Sequence, residues 1–232
     1  EERRQTWLEQ RSKNKPVREL AQFFASIAYS HIVPQVVREQ RRPQDPRRHD
    51  PFGSDLIEDI TRTPEREKKR RLKVINEAMR AVLPQLQDIH AEKDELGKPH
   101  LVASYRHWRG VAAKQREEQF SDGTLRLIGL LWTLSSGGGP VLLEEPEISL
   151  HEDAVRQLPV LLHRVASAAG RQVVVSTHSE SLLSDSGIEP AEVIWLETTG
   201  EDTKVHTGDK VQTLVALAEA GASLGRTLIS MT

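Results

Sequence analysis

The apolar positions of the 232-residue chain change texture near residue 120. Before it they recur mostly at helical spacing; after it they gather into short unbroken runs. "PVRELAQFFASIAYSHIV" (16–33) has the i, i+3, i+4 spacing of one long helix, with Pro16 at a first-turn position. Its Phe23, Phe24 and Tyr29, together with Trp7, are expected in the core. The Arg-, Pro- and Asp-rich stretch 40–55 reads as a loop. Residues 64–84 read as a helix with a strongly basic start. Residues 86–108 read as two strands around a turn at Gly97. Beyond Phe120, "SDGTLRLIGLLWTL" predicts a turn running into an apolar helix. "SSGGGP" predicts a loop, and "VLLEE" a wholly apolar strand of the kind found in the middle of a parallel sheet. A helix ending at Gly170 follows, then a second buried strand, "VVVS". Residues 191–207 predict a hairpin, with a helix near 209–220 after it. Strand, helix, strand is a crossover unit, so this half is α/β.

Charge sharpens the division. Net charge is −2, yet residues 1–120 carry +6 and residues 121–232 carry −8. The chain therefore divides into a mostly helical region with basic clusters and a β-hairpin (1–118) and an α/β lobe (119–232). There are no cysteines, which excludes disulfides and thiolate metal sites and fits a reducing, cytoplasmic setting. No apolar stretch reaches the roughly 20 residues of a membrane helix.

Three stretches carry candidate chemistry. Glu144 and Glu145 stand side by side where the first buried strand ends, and ligands of α/β sheets bind beyond the carboxyl ends of the strands. Like charges there repel unless a cation offsets them. Glu144 is suited to Mg²⁺, and Glu145 to polarising an attacking water. His178, at the end of the second buried strand, could donate to a γ-phosphate or hold that water. Ser121, Asp122, Gly123 and Thr124 open a helix, and such a corner can bind an anion. Taken singly, each has an ordinary structural reading: an exposed loop start, a structural histidine, an N-cap.

Together and in this order, these stretches resemble the C-terminal half of an ATP-binding-cassette-type ATPase head. The likeness is nearest the RecF/SMC/OLD-like group of AAA-family ATPases. "FSDGTLRLIGLLWTL" resembles the signature motif and its helix, "VLLEE" the Walker B strand, "PEISLH" the D-loop and "STHS" the switch-histidine loop. The resemblance covers residues 119–183 and implies a C-terminal ATPase lobe with a parallel-sheet core. It implies ATP and Mg²⁺ as cofactors, Glu144 as the Mg²⁺ acid, Glu145 as catalytic base and His178 as the switch histidine. Ser121, Asp122, Gly123 and Thr124 would meet nucleotide held by a second head, and Ser149, Leu150 and His151 would lie at the dimer seam. The partners implied are a second copy around sandwiched ATP and a TOPRIM-type nuclease on a separate chain, acting in DNA repair or anti-phage defence.

One part is missing. No G-x-x-x-x-G-K-[ST] loop occurs: "ELGKPH" lacks the upstream glycine and the hydroxyl, and "SSGGGP" lacks lysine. The chain opens on Glu1 rather than Met, and the expectation is the C-terminal part of a larger ATPase, active once its P-loop is supplied. The alternative is a non-catalytic lobe that dimerises or docks a partner. Two basic clusters, Arg38, Arg41, Arg42, Arg47 and Arg48, then Arg66, Lys68, Lys69, Arg70, Arg71 and Lys73, could meet duplex DNA through its phosphates. Aromatic residues make up only 4%, which argues against single-strand stacking.

Overall fold

The computed structural model describes residues 18–40, 50–106 and 113–231. Trp7, Arg41, Arg42, Arg47, Arg48 and Trp108 lie outside them. The 16–33 stretch is not one helix. It forms α1 (Arg18–Ser26), then a short strand β1 (Ala28–Ser30), then α2 (Pro34–Glu39). The helical spacing loses to pairing: Ala28, Tyr29 and Ser30 align in parallel with Val141, Leu142 and Leu143 of β5 (Val141–Glu144). β5 pairs on its other side, also in parallel, with β6 (Val173–Ser176). The sheet order is β1-β5-β6, with "VLLE" in the middle as its composition suggests.

Among the described residues only one face of that sheet is covered, so the expectation of a second fully buried strand at 173–176 is corrected: its positions alternate between half-buried and exposed. Val141 and Leu143 are fully buried, whereas Tyr29, Leu142 and Val174, one row across the three strands, are 39%, 37% and 47% exposed. Phe23 and Phe24 of α1 are about half exposed as well. The expectation that Phe23, Phe24 and Tyr29 belong to the core is therefore corrected: their spacing marks an apolar surface that no other described element covers.

The covered face packs on α5 (Asp122–Ser135) and α6 (Glu152–Ala169). Leu125, Ile128, Leu131 and Leu134 of α5 are fully buried, which explains its nearly continuous apolar sequence. α6 ends on Gly170, whose φ of 66° is the left-handed cap its sequence predicts. α3 (Leu56–Arg62) and α4 (Glu65–Val82) join the same core, so one core takes in residues from both sides of the 118/119 division. Against α4 lies an antiparallel sheet of β2 (Leu86–Lys93), β3 (Pro99–Tyr105) and β4 (Ala113–Arg116). Its first hairpin turns at Gly97 as read from sequence, with φ 80°; β4 was not anticipated. The C-terminal hairpin, β7 (Ile194–Thr199) and β8 (Asp202–Thr207), builds a small second core with α7 (Gln212–Glu219) and α8 (Gly225–Met231).

Candidate active site

Parallel pairing brings the candidate chemistry to one end of the β1-β5-β6 sheet. Glu144 sits opposite Ser176 in register, and the Glu145 N–H donates to the Ser176 carbonyl at 2.9 Å. His178 follows two residues beyond Ser176. Glu144, Glu145 and His178 thus leave adjacent strand ends, as the α/β architecture predicts. Glu144 and His178 are exposed and Glu145 is half-buried. Glu145 takes a left-handed φ of 41°, and Ser149 one of 66°. A non-glycine residue there is uncommon and costs on the order of 1–2 kcal/mol. Such backbone is tolerated where the surroundings hold it, and functional sites are where it gathers.

The turn after β5 is tied down on two sides. Thr177 donates its hydroxyl to Glu147, and the Ser179 N–H donates to Thr177 Oγ1 at 2.9 Å. The loop bearing His178 is thereby fastened to the turn bearing Ser149. On the other side, Gly123 lies so close to this turn that a Cβ there would meet the Ser149 carbonyl oxygen at 2.5 Å. Glycine is required at this contact by simple exclusion.

Ser121 caps α5, accepting from the Thr124 N–H at 3.2 Å, and its hydroxyl is 2.8 Å from that of Thr124. Asp122 is engaged from α2: Arg38 Nη2 donates to it at 2.6 Å and Gln35 Nε2 at 3.1 Å. Arg38 also donates to the Phe120 carbonyl at 2.8 Å. This ion pair offsets the Asp122 charge at a corner read as anion-binding. His151 caps α6, its Nδ1 facing the Asp153 N–H at 3.4 Å. Gly123 therefore brings the start of α5, with Ser121 and Thr124, to the turn at Ser149, and Glu144, Glu145 and His178 gather at the strand ends.

The sequence did not single out what β1 contributes. Tyr29 donates its hydroxyl to Glu144 Oε2. That hydrogen bond, with burial and the nearby negative charge, pushes the Tyr29 phenol above its ordinary pKa. His31 Nδ1 lies 3.3 Å from the Glu144 carbonyl oxygen. Arg126, inside the signature-like helix, is 7% exposed, and burial lowers its pKa. No local motif marks Tyr29 or His31, because a parallel neighbour more than 100 residues away leaves no periodic trace.

The donors at the strand ends are oxygens, the set Mg²⁺ prefers, and Mg²⁺ characteristically takes one or two carboxylates plus substrate phosphates. Glu144, Glu145 and His178 do not form a ready-made three-ligand cluster. Among the described residues, the one acid–histidine trio whose ligand atoms all lie within 4.8 Å of one another is His100, Glu117 and Glu118. It sits in the β2-β3-β4 region, where Glu117 is already engaged by the Leu101 N–H, Gln40 and His100.

The lobe is a parallel α/β unit with paired acids and a histidine at its carboxyl strand ends, beside a capped helix start. Residues 6–184 match the family described as "AAA domain, putative AbiEii toxin, Type IV TA system". The chain belongs to that family and carries an AAA-type ATPase domain. No curated protein sequence matches significantly. Similar solved structures include an SMC ATPase described for ATP-driven dimerization and DNA-stimulated activation. It is 14% identical, with 66% of this chain and 91% of that chain covered and a TM-score of 0.47. Another is an Smc head bound to the C-winged helix domain of ScpA, at 17% identity, 65% and 48% coverage and TM-score 0.44. A third is the Pyrococcus furiosus Smc head with an extended coiled coil bound to the C-terminal domain of ScpA, at 16%, 72% and 44% coverage and 0.46. The chain spans less than half the length of these last two.

Proposed function

We propose that the chain is the C-terminal half of an ATP-binding and ATP-hydrolysing head of the RecF/SMC/OLD-like type, which dimerises around nucleotide. The observation supporting it most directly is the convergence of Glu144, Glu145 and His178 on neighbouring parallel strand ends. In this reading Glu145 is the base that orients and polarises the attacking water, and its backbone bond to Ser176 and left-handed φ fix its direction. His178 contacts the γ-phosphate. Glu144 holds Mg²⁺, which when bound neutralises charge on the phosphates. Ser121, Asp122, Gly123 and Thr124, with Ser149 and His151, form the surface that meets nucleotide held by a second copy. The tie between Thr177 and Glu147 links the γ-phosphate sensor to that surface.

The P-loop comes from outside these 232 residues. The uncovered row of Tyr29, Leu142 and Val174 is apolar and shares its face of the sheet with Glu144, two residues further along β5, so it suits the lobe that would bring the phosphate cradle. A DNA contact, an effector such as a TOPRIM-type nuclease on a separate chain, and a role in repair or anti-phage defence extend the same reading. Within the second basic cluster, Lys68 and Lys69 are held by Glu65, and Arg71 is buried against Trp132. Arg66, Arg70 and Lys73, exposed at i, i+4 and i+7 on α4, are then the cations suited to duplex phosphates. The alternative, a non-catalytic dimerisation or docking lobe, draws on one observation, the absent P-loop.

ATP hydrolysis separates the two. It should appear when a P-loop-bearing segment is supplied, and Glu145→Gln should lower it by on the order of 10²-fold or more while trapping ATP and the dimer. A protein that has its P-loop and still turns nothing over would leave the docking reading standing.

A further inference from the structure

We propose that Tyr29 is a positioning residue for the metal-binding acid: its hydroxyl holds the Glu144 carboxylate in one orientation and thereby sets the affinity of the site for its divalent cation. The inference rests on Glu144 serving as the Mg²⁺ acid.

Sheet geometry makes the contact direct. Tyr29 is opposite Leu142 in the β1–β5 register. Side chains alternate along a strand, so Leu142 and Glu144 share the open face and Val141 and Leu143 the buried one. Tyr29 is therefore the diagonal neighbour of Glu144 on that face, within reach of a long side chain. The hydroxyl reaches Oε2 of Glu144. One lone-pair direction of a carboxylate that offers about four is taken, and Oε1 stays available to a cation. A flexible glutamate at an exposed strand end would otherwise sample several rotamers, and holding one lowers the entropy lost when a metal binds.

Strand β1 adds a second restraint, since His31 approaches the Glu144 carbonyl oxygen at 3.3 Å. Backbone and side chain of the same acid are thus both engaged from β1. Outer contacts of this kind, when removed, typically cost 10–100-fold in metal affinity or activity. Phenylalanine keeps the ring on the open face and deletes only the donor.

The test is a Mn²⁺ titration of the 232-residue chain and its variants, with free ion counted by electron paramagnetic resonance. Alongside it, the Mg²⁺ dependence of ATP hydrolysis is measured in the protein that includes its P-loop. Glu144→Gln should remove the Mn²⁺ site. Tyr29→Phe should weaken it about 10-fold and raise half-saturating Mg²⁺ by about the same factor, with the rate at saturating metal within about twofold of the parent. In the Glu144→Gln background Tyr29→Phe should add nothing, because the two share one interaction. Tyr105→Phe, which removes the same hydroxyl from the end of β3 in the other sheet, should leave the metal midpoint unchanged.

Two outcomes overturn the proposal while sparing its premise. One is Glu144→Gln abolishing Mn²⁺ binding with Tyr29→Phe indistinguishable from the parent. The other is Tyr29→Phe lowering the saturated rate with an unmoved metal midpoint. If Glu144→Gln itself leaves Mn²⁺ binding intact, the assignment of Glu144 fails and the role of Tyr29 falls with it.

Discussion

Single residues hold the site by exclusion and by restraint. Gly123 is the clearest case, because the start of α5 and the turn at Ser149 approach too closely for any side chain. Gly123→Ala would ordinarily favour a helix by up to about 1 kcal/mol, less in the first turn. Here the methyl must displace a backbone carbonyl, which costs typically 1–3 kcal/mol. The net effect should be destabilising, seen as a lower urea midpoint with an unchanged slope. An unchanged midpoint would mean that the two segments separate freely. Glu145 shows the complementary device, in which left-handed backbone is held by hydrogen bonds of its own N–H to Ser176 and of the Ile148 N–H to its carbonyl.

Among the elements, the β2–β3 hairpin illustrates how a turn is specified. The Asp94 carboxylate accepts from the Leu96 N–H at 3.0 Å and the Lys98 N–H at 2.8 Å, and faces His100 Nε2 at 3.4 Å. The Lys98 N–H above all, then His100 and the Leu96 N–H, hold its pKa below the ordinary aspartate value. A carboxylate lowered on folding contributes stability above its unfolded pKa of about 3.9 and loses it as pH falls through the folded value. Asp94→Ala should therefore lower the melting temperature at pH 7, and the gap to the parent should narrow below about pH 4. A constant gap across that range would assign the loss to the turn's shape rather than to its charge. Elsewhere, α4 is pinned to α5 by Arg71, whose guanidinium lies 3.4 Å from the centre of the Trp132 ring and donates to the Trp132 carbonyl and Ser135. Burial pushes this guanidinium down to about 10, while the nearby Asp59 and Glu67 carboxylates act the other way, so its charge is retained at neutral pH.

At the scale of the whole molecule, the dominant feature is a parallel sheet with one face that no described element covers, since such sheets are normally covered on both. Leu142→Thr with Val174→Thr should change folding stability little, within about 0.5 kcal/mol per exposed site. The same pair should weaken recovery of ATPase activity when a P-loop-bearing segment is added. Unaltered recovery would show that the segment docks elsewhere. Among the described residues no helix is long and apolar enough to cross a membrane.

Local sequence determined much of this protein. The short apolar runs at 141–143 and 173–175, bounded by turn residues, read as strands from sequence and are strands. Gly97 and Gly170 supply the left-handed backbone their turns need, and α4, α5 and α6 follow from periodicity and caps. The order of the motifs sufficed to expect an ATPase lobe, in agreement with the family to which the chain belongs. Tertiary structure alone decided the rest. Residues 28–30 read as helix because their apolar spacing suits one, yet pairing with β5 makes them a strand. Phe23, Phe24 and Tyr29 read as core because hydrophobicity says only that a residue gains from cover, not that this chain provides it. The contact of Tyr29 with Glu144 spans 115 residues and depends on register, a relation between strands that no local pattern encodes.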